Sequence, residues 1–156
     1  MFNLRKASIK DAEAIWSVRT SAIRAIEARY YSKEDLEKWA PLDMPSDFPK
    51  ALAQHTWYVV ETHGEIIATG FIDLERATTE AIFVKANFQG RGIAKMMLEH
   101  LETIAKSYGL KELSLDATLN AEGFYKKQGY QSLEKSIWKS PRGIDMACVK
   151  MHKNLK

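Results

Sequence analysis

A single cysteine, Cys148, occurs among the 156 residues of the sequence, so an internal disulfide is excluded. The four histidines are scattered and show no paired Cys/His spacing, which argues against a structural metal. The longest nearly unbroken apolar stretch, residues 66–72, is far shorter than the roughly 20 residues that cross a bilayer. The charged pair Lys10-Asp11 interrupts the N-terminal region before a signal-like apolar segment can form. We therefore expect a cytoplasmic protein without a metal or a membrane partner.

Strong charge of either sign is also lacking. Lys and Arg number 23 against 20 Asp and Glu, which gives a net charge of +3, and no run of five or six like charges occurs. We therefore expect no nucleic-acid partner, although a slightly basic chain suits a phosphorylated small molecule. With 46% of its residues apolar or aromatic, the chain fits one domain, residues 1–156, with its own core.

The spacing of apolar residues predicts helices separated by short strands. Helices are expected at residues 8–26, 32–39, 93–108 and 121–128. Strands are expected near residues 2–4, 56–62, 65–74, 80–84, 113–115, 130–138 and 144–151. Pro41, Pro45 and Pro49 are interpreted as a loop, and residues 139–143 as a turn. The order of elements, with a central antiparallel hairpin, indicates an α/β (α+β) class with a mixed sheet covered by helices.

The segment from Gln89 to Ala94 is the sharpest chemical feature of the sequence. It has the sequence Gln-Gly-Arg-Gly-Ile-Ala and lies between a predicted strand and a long predicted helix. Unpaired amide groups and the positive end of the helix dipole meet at such a point and attract an anion. Gly90 and Gly92 permit the positive φ angles that turn amides inward, and they leave space for a phosphate. Arg91 lies where it would add charge-assisted hydrogen bonds.

Other interpretations of this turn are weaker. Two glycines can simply shape a tight turn. Gly90-Arg91-Gly92 also begins a dinucleotide fingerprint, but Lys95 occupies the position of the third glycine. The Gly-Lys-Ser/Thr of nucleotide hydrolases is absent. The turn therefore predicts a phosphate site without naming the molecule that carries the phosphate.

Two motifs in order carry a family resemblance. The stretch from Phe83 to Phe88, followed by the glycine turn, resembles the central motif of the GNAT superfamily of N-acetyltransferases, Gln/Arg-x-x-Gly-x-Gly/Ala. The segment from Ala121 to Tyr130 resembles its second signature, A-x-x-F-Y-x-x-x-G-F/Y. Residues 31–41 also resemble a bacterial subgroup of the superfamily. The resemblance implies an acyltransferase that uses acetyl-coenzyme A, built on a GNAT-like mixed, largely antiparallel sheet of about seven strands flanked by helices.

The resemblance also implies the coenzyme side of the site. Backbone groups at Phe83 and Val84 would pair with the pantetheine arm, and an amide there would polarise the thioester carbonyl. The superfamily often carries asparagine where Thr118 stands, and Asn120 follows two residues later, so either side chain is a candidate contact. The candidate cofactor-binding residues are Phe83, Val84, Gln89, Gly90, Arg91, Gly92, Ile93, Ala94, Thr118, Asn120, Phe124 and Lys127.

Tyr125 is the implied general acid, because the resemblance places its hydroxyl beside the departing sulfur. The amine acceptor needs a base, since a lysine-type amine has a pKa of about 10.4 and is mostly protonated at neutral pH. Glu80 and Asp116 are both candidates for that base, because each lies near a strand that would border the cleft. Cys148 is not needed for direct transfer and is expected to be a small buried residue.

The acceptor is left open by the sequence. A small-molecule amine and a peptide or protein amine both fit, and the alternative function is a non-catalytic coenzyme-A-binding sensor. The aromatic residues Tyr30, Tyr31, Trp39 and Trp57 are assigned to the core by default, although they would favour an apolar acceptor if they faced the pocket. The sequence also leaves open whether the protein forms a homodimer.

Overall fold

The computed structural model describes residues 1–140 and 143–156. The strands of this part of the chain are β1 (Asn3–Lys6), β2 (Thr56–Thr62), β3 (Glu65–Asp73), β4 (Thr78–Val84), β5 (Glu112–Thr118), β6 (Gln131–Lys139) and β7 (Asp145–Asn154). Its α-helices are α1 (Ala12–Arg24), α2 (Lys33–Trp39), α3 (Phe48–Ala53), α4 (Ile93–Ser107) and α5 (Glu122–Lys127). None of these helices combines the length and the apolar character needed to cross a membrane.

The strands form one mixed sheet in the order β1-β2-β3-β4-β5-β7-β6. Neighbouring strands run antiparallel, except for β4 and β5, which are parallel. The hairpin of β6 and β7 returns the chain so that β7 lies between β5 and β6. The predicted mixed, largely antiparallel sheet flanked by helices is confirmed.

The contact between β4 and β5 is small. Within these two fully described strands, Thr78 and Ser114 form the one register pair, beside a hydrogen bond from the Ser114 N–H to the Ala77 carbonyl at 3.0 Å. The later residues of β4 pair with β3 alone, so β4 and β5 diverge towards Val84. We call the gap between them the seam. A strand edge that faces such a gap offers backbone N–H and C=O groups to a ligand.

Helices cover both faces of the sheet. On one face, Met97 and Leu101 of α4 are buried in the same cluster as Leu113 of β5. On the other face, Ile15 of α1 is buried in a cluster with Val59 of β2. Full burial of such a side chain contributes about 1.5–3 kcal/mol, so these contacts fix the helices on the sheet. We call the two sides the α4 face and the α1 face; α5 lies on the first and α2 on the second.

Two local predictions are confirmed in detail. α2 begins after Ser32, whose side-chain oxygen accepts the Asp35 N–H at 3.1 Å, as in an N-cap. The hairpin of β2 and β3 turns at His63 and Gly64, whose φ angles are 50° and 77°. Two successive positive φ angles are typical of the type I′ turn, whose twist matches that of the flanking strands.

Two local predictions differ from the structure, and a third falls partly on residues that the structure does not describe. The prediction that Pro41, Pro45 and Pro49 lie in a loop is wrong in part, because Phe48–Ala53 form α3 with Pro49 in its first turn. Proline is tolerated there, since the first N–H groups of a helix have no intrahelical acceptor. The helix predicted at residues 8–26 is shorter, because α1 ends at Arg24 and is preceded by a 3-10 turn at Ile9–Asp11. The turn predicted at residues 139–143 includes Pro141 and Arg142, which lie outside the described residues.

Candidate active site

A cavity of about 1020 Å³ follows the seam. Its lining comes from α5 and the start of α4 on one face, and from α1, Trp39 and β7 on the other. Because β4 and β5 diverge, the space reaches both faces of the sheet. The predicted site residues that line it are Glu80, Phe83, Val84, Gln89, Gly90, Gly92, Ile93, Ala94, Asp116, Thr118, Asn120, Phe124 and Tyr125.

The glycine turn lies at the N-terminus of α4 and borders this cavity. Gly90 and Gly92 both have a φ angle of 80°, a conformation that glycine adopts without strain. A Cβ atom added at either position would meet no heavy atom within 4 Å. The Met96 N–H donates to the Gly92 carbonyl at 3.0 Å, so the amides before it have no acceptor within the helix. The turn therefore fits a phosphate group, which the open space admits and the helix dipole attracts.

Three predicted coenzyme contacts take different positions around this turn. The Gln89 side chain donates from Nε2 to the Val84 carbonyl at 3.0 Å, so it ties the turn to the end of β4. Arg91 is exposed, and its guanidinium lies 5.1 Å from the centre of the Phe88 ring. Lys127 is also exposed, on α5, and like Arg91 it lies outside the lining of the cavity. A ligand that reached these two cations would have to extend along the protein surface.

A β-bulge shapes the seam side of β4. Phe71 of β3 pairs with Glu80, but Thr69, two residues earlier, pairs with Phe83, so β4 carries one extra residue. Ala81 lies in this bulge with a φ angle of 55°, which is uncommon for a residue other than glycine. The bulge redirects the β4 backbone where it borders the cavity. The bulge is not predicted from the sequence, because alanine gives no sign of a positive φ angle.

Tyr125 projects from α5 into the core beneath the seam and is 9% exposed. Its ring contacts those of Phe124 and Tyr130, at centroid distances of 5.1 and 5.7 Å. Burial raises the pKa of the Tyr125 hydroxyl well above its ordinary value of 10.0. The phenol is therefore protonated at neutral pH, which is the state that a general acid requires.

A buried polar cluster supports Tyr125 from behind. The Tyr130 hydroxyl donates to Glu102 of α4 at 2.8 Å, and burial, with help from that carboxylate, raises the pKa of Tyr130. The Lys153 ammonium donates to both Glu102 oxygens at 3.1 Å and to the Gln128 carbonyl at 2.8 Å. These bonds join α4, the end of α5 and β7, so they fix α5 relative to the sheet. The cluster is not predicted from the sequence, where its one signal is an acidic residue within the apolar stripe of α4.

The two candidate bases flank the seam on the α1 face. Glu80 is half-buried on β4, and its carboxylate accepts a hydrogen bond from the Thr78 hydroxyl at 3.0 Å. Asp116 is exposed on β5, opposite Lys150 of β7 in the strand register. Both carboxylates line the cavity, so the structure brings together two groups that are far apart in sequence.

Tyr31 connects the α1–α2 loop to the strands beside the seam. Its hydroxyl accepts the Leu119 N–H at 2.9 Å and donates to the Ala147 carbonyl at 2.5 Å. Leu119 lies between Thr118 and Asn120, both of which line the cavity. The hydroxyl therefore holds the segment that leads into α5 against β7.

The default assignment of aromatic residues to the core is confirmed for Tyr31, Trp39 and Trp57, and Tyr30 packs against the same core as Tyr31 and Trp39. Tyr31 and Trp39 are buried, but both line the cavity. Trp57 instead packs between Phe48 and Phe71 in the core of the α1 face. Cys148 is 4% exposed, as expected for a small buried residue, yet it also lines the cavity. The sequence alone does not show which buried side chains also line the cavity, because the loops and the strand register decide which of them face the seam.

Known proteins share this fold and sequence. The sequence model of a protein family described as "Acetyltransferase (GNAT) domain" matches residues 53–132 of this chain. The chain is 31% identical over 140 residues to the peptidyl-lysine N-acetyltransferase YjaB of Salmonella typhimurium, and this match covers 87% of the chain and 88% of the relative. A solved N-acetyltransferase of Rhodopseudomonas palustris has a TM-score of 0.90 at 24% identity, over 98% of this chain and 95% of its own.

A further structural neighbour contains the coenzyme. It is the PaiA N-acetyltransferase of Thermoplasma acidophilum, solved in complex with coenzyme A, with a TM-score of 0.76 at 20% identity over 99% of both chains. At this level of identity, the likeness shows the shared fold. The sequence matches go further, and they show that the chain belongs to the GNAT family of acetyltransferases, acyltransferases that use acetyl-coenzyme A.

Proposed function

We propose that residues 1–156 form a single N-acetyltransferase domain that transfers acetyl from acetyl-coenzyme A directly to a primary amine of a small molecule, peptide or protein. One observation supports this most: a single cavity contains the glycine turn and Tyr125 on one face and two carboxylates on the other. The co-substrate supplies an activated acetyl thioester and a thiol leaving group. The chain itself needs to bind, orient and move protons, and no acyl-enzyme residue is required.

The coenzyme side is assigned to backbone groups. Gly92, Ile93 and Ala94 lie at the N-terminus of α4 and line the cavity, and their amides would bind the pyrophosphate. The β4 edge at Phe83 and Val84 has no partner on β5 and would bind the extended arm as an added strand. The backbone turned by the bulge at Ala81 would stabilise negative charge on the reacting carbonyl oxygen. Thr118, Asn120 and Phe124 would complete the lining.

The proton donor is assigned to Tyr125 and the proton acceptor to Glu80. The Tyr125 hydroxyl would give its proton to the departing thiolate, and it carries that proton at neutral pH because burial raises its pKa. Glu80 is better enclosed than Asp116 and directly precedes the bulged residue Ala81. It would take a proton from the ammonium, directly or through water. Asp116 would attract the cationic amine to the seam.

The direct experiment is acetylation of a panel of primary amines with acetyl-coenzyme A, with thiol release measured alongside the acetylated product. We expect acetylated product and free thiol in equal amounts. A lysine peptide belongs in the panel, because the relative from Salmonella is named as a peptidyl-lysine acetyltransferase. Coenzyme binding without acetylation of any amine would instead favour the non-catalytic sensor, which the acetyltransferase names of the relatives do not support.

The roles of the two carboxylates predict different pH profiles. Glu80→Gln is expected to lower kcat/KM by about 10²-fold or more near neutral pH. The deficit should shrink as pH rises towards the amine pKa of about 10, because more of the acceptor is then free amine. Asp116→Asn is expected to raise KM for the amine with little change in the shape of the profile. If Asp116→Asn instead gave the pH-dependent loss and Glu80→Gln the higher KM, the two roles would be exchanged. If both variants kept the wild-type pH profile, water would be the proton acceptor.

A further inference from the structure

The acceptor side of the cavity ends in four aromatic rings. Trp39 is the central member, with ring centroids 6.3 Å from Tyr31, 6.4 Å from Phe83 and 5.7 Å from Trp138. All four line the cavity, and we call them the aromatic wall. Met146 and Ile26 extend its apolar surface. The wall joins segments far apart in sequence, so it depends on the complete fold.

Two polar groups beside this wall are already engaged. The Tyr31 hydroxyl is used twice, by the Leu119 N–H and the Ala147 carbonyl. The Trp39 carbonyl accepts a hydrogen bond from Arg19 at 2.9 Å. The four rings offer apolar contact, which is favourable in proportion to the area removed from water.

The charges near the wall favour a cationic amine. Glu80 and Asp116 line the cavity on the same sheet face as the wall. Arg19 is engaged by the Trp39 carbonyl, and its guanidinium lies 4.4 Å from the centre of the Trp16 ring. The other cations of the lining are exposed, and they are Arg76, Lys95 and Lys150. An ammonium between the carboxylates and an aromatic face is attracted by both.

We propose that the acceptor is a small arylalkylamine, with its amine at the carboxylates and its ring on the aromatic wall. This inference rests on the proposed acetyltransferase function. An aromatic ring suits the wall better than an aliphatic chain, because edge-to-face pairs add to the burial of apolar area. A small acceptor suits it better than a protein, since Tyr31, Trp39 and Met146 of the lining are only 7%, 5% and 3% exposed.

Matched amines test the proposal in the wild-type enzyme. We expect kcat/KM for 2-phenylethylamine to exceed that for 2-methoxyethylamine, and that for a lysine peptide, by about 10- to 100-fold, as burial of a phenyl group predicts. Equal values, or a preference for the peptide, would overturn the arylalkylamine proposal and leave the acetyltransferase function intact. Acetylation of none of the three amines would overturn the arylalkylamine proposal, and failure with the whole panel of primary amines would overturn the acetyltransferase function as well.

Variants of β6 locate the preference in the wall. Trp138→Ala is expected to reduce the ratio of the two small-amine kcat/KM values at least fivefold, whereas Trp138→Phe keeps a ring and should preserve most of it. Ile137→Ala is the control, because Ile137 is the next residue on the same strand, is 55% exposed and lies outside the cavity lining. Its ratio should equal that of the wild type. A wild-type ratio in Trp138→Ala would overturn the assignment of the ring to the wall.

Discussion

Replacing Tyr125 by phenylalanine is expected to lower kcat by about 10²- to 10⁴-fold while leaving the affinity for acetyl-coenzyme A nearly unchanged. The substitution removes one hydroxyl and keeps the ring that packs against Phe124 and Tyr130. The lost group is the proposed proton donor, and burial raises its pKa, so it carries its proton at neutral pH. Single-turnover rates and a coenzyme titration measure the two quantities separately.

Tyr108→Phe provides the matched control. It makes the same chemical change at the end of α4, where Tyr108 is 69% exposed, and it should alter neither quantity. The raised pKa also predicts that the wild-type rate shows no loss from phenol ionisation below about pH 10. Wild-type kcat in Tyr125→Phe would remove the hydroxyl from the mechanism. A loss of coenzyme affinity as large as the loss of kcat would mean that the hydroxyl binds the co-substrate instead.

Gly92→Ala is expected to weaken coenzyme A binding by about 10- to 100-fold, the effect of losing one hydrogen bond to a charged group. The φ angle of 80° strains any residue with a Cβ, and the added methyl group would occupy the open space proposed for the pyrophosphate. The turn would relax and its amides would no longer converge. The rise in melting temperature with increasing coenzyme A measures this effect.

Gly64→Ala separates backbone strain from lost binding. Gly64 has a φ angle of 77° and no heavy atom within 4 Å of an added Cβ, and it lies in the β2–β3 turn, outside the cavity lining. Both variants should therefore lose similar stability without ligand, about 1 kcal/mol. Coenzyme A should then stabilise Gly64→Ala as strongly as the wild type. An equal response in the two variants would show that the turn at Gly92 does not hold the phosphate.

The parts of the site that were predicted from the sequence depend on short contiguous motifs. Gly90 and Gly92 lie within one turn, and local backbone geometry alone makes them suitable for an anion. Tyr125 lies in a motif whose helix and closing glycine are both present, with Gly129 at a φ angle of 95°. Strand periodicity likewise located the sheet, because alternation of apolar residues is a local property.

The parts that were missed depend on register and on distant contacts. The bulge at Ala81 exists because the register between β3 and β4 shifts by one residue. The residue type at that position does not predict such a shift. Tyr31 bonds to residues 88 and 116 positions away, so its role emerges when the β5–α5 turn and β7 meet. Trp138 faces the cavity because of its pairing with Met146, and a one-residue slip would turn it to the other face.

We expect amide hydrogen exchange to show two units of the sheet, one on each side of the seam, with different protection. The strands β1 to β4 form one continuous ladder and β5 to β7 another, and Thr78 with Ser114 is the register pair that these described strands share. Proteins open locally in such cooperative units, so the two ladders can lose protection independently. A coenzyme arm bound along the β4 edge would slow amide exchange in β4. The two ladders would then open together as one cooperative unit. The co-substrate bound in the proposed way would thus complete a cooperative structure as well as take part in a reaction.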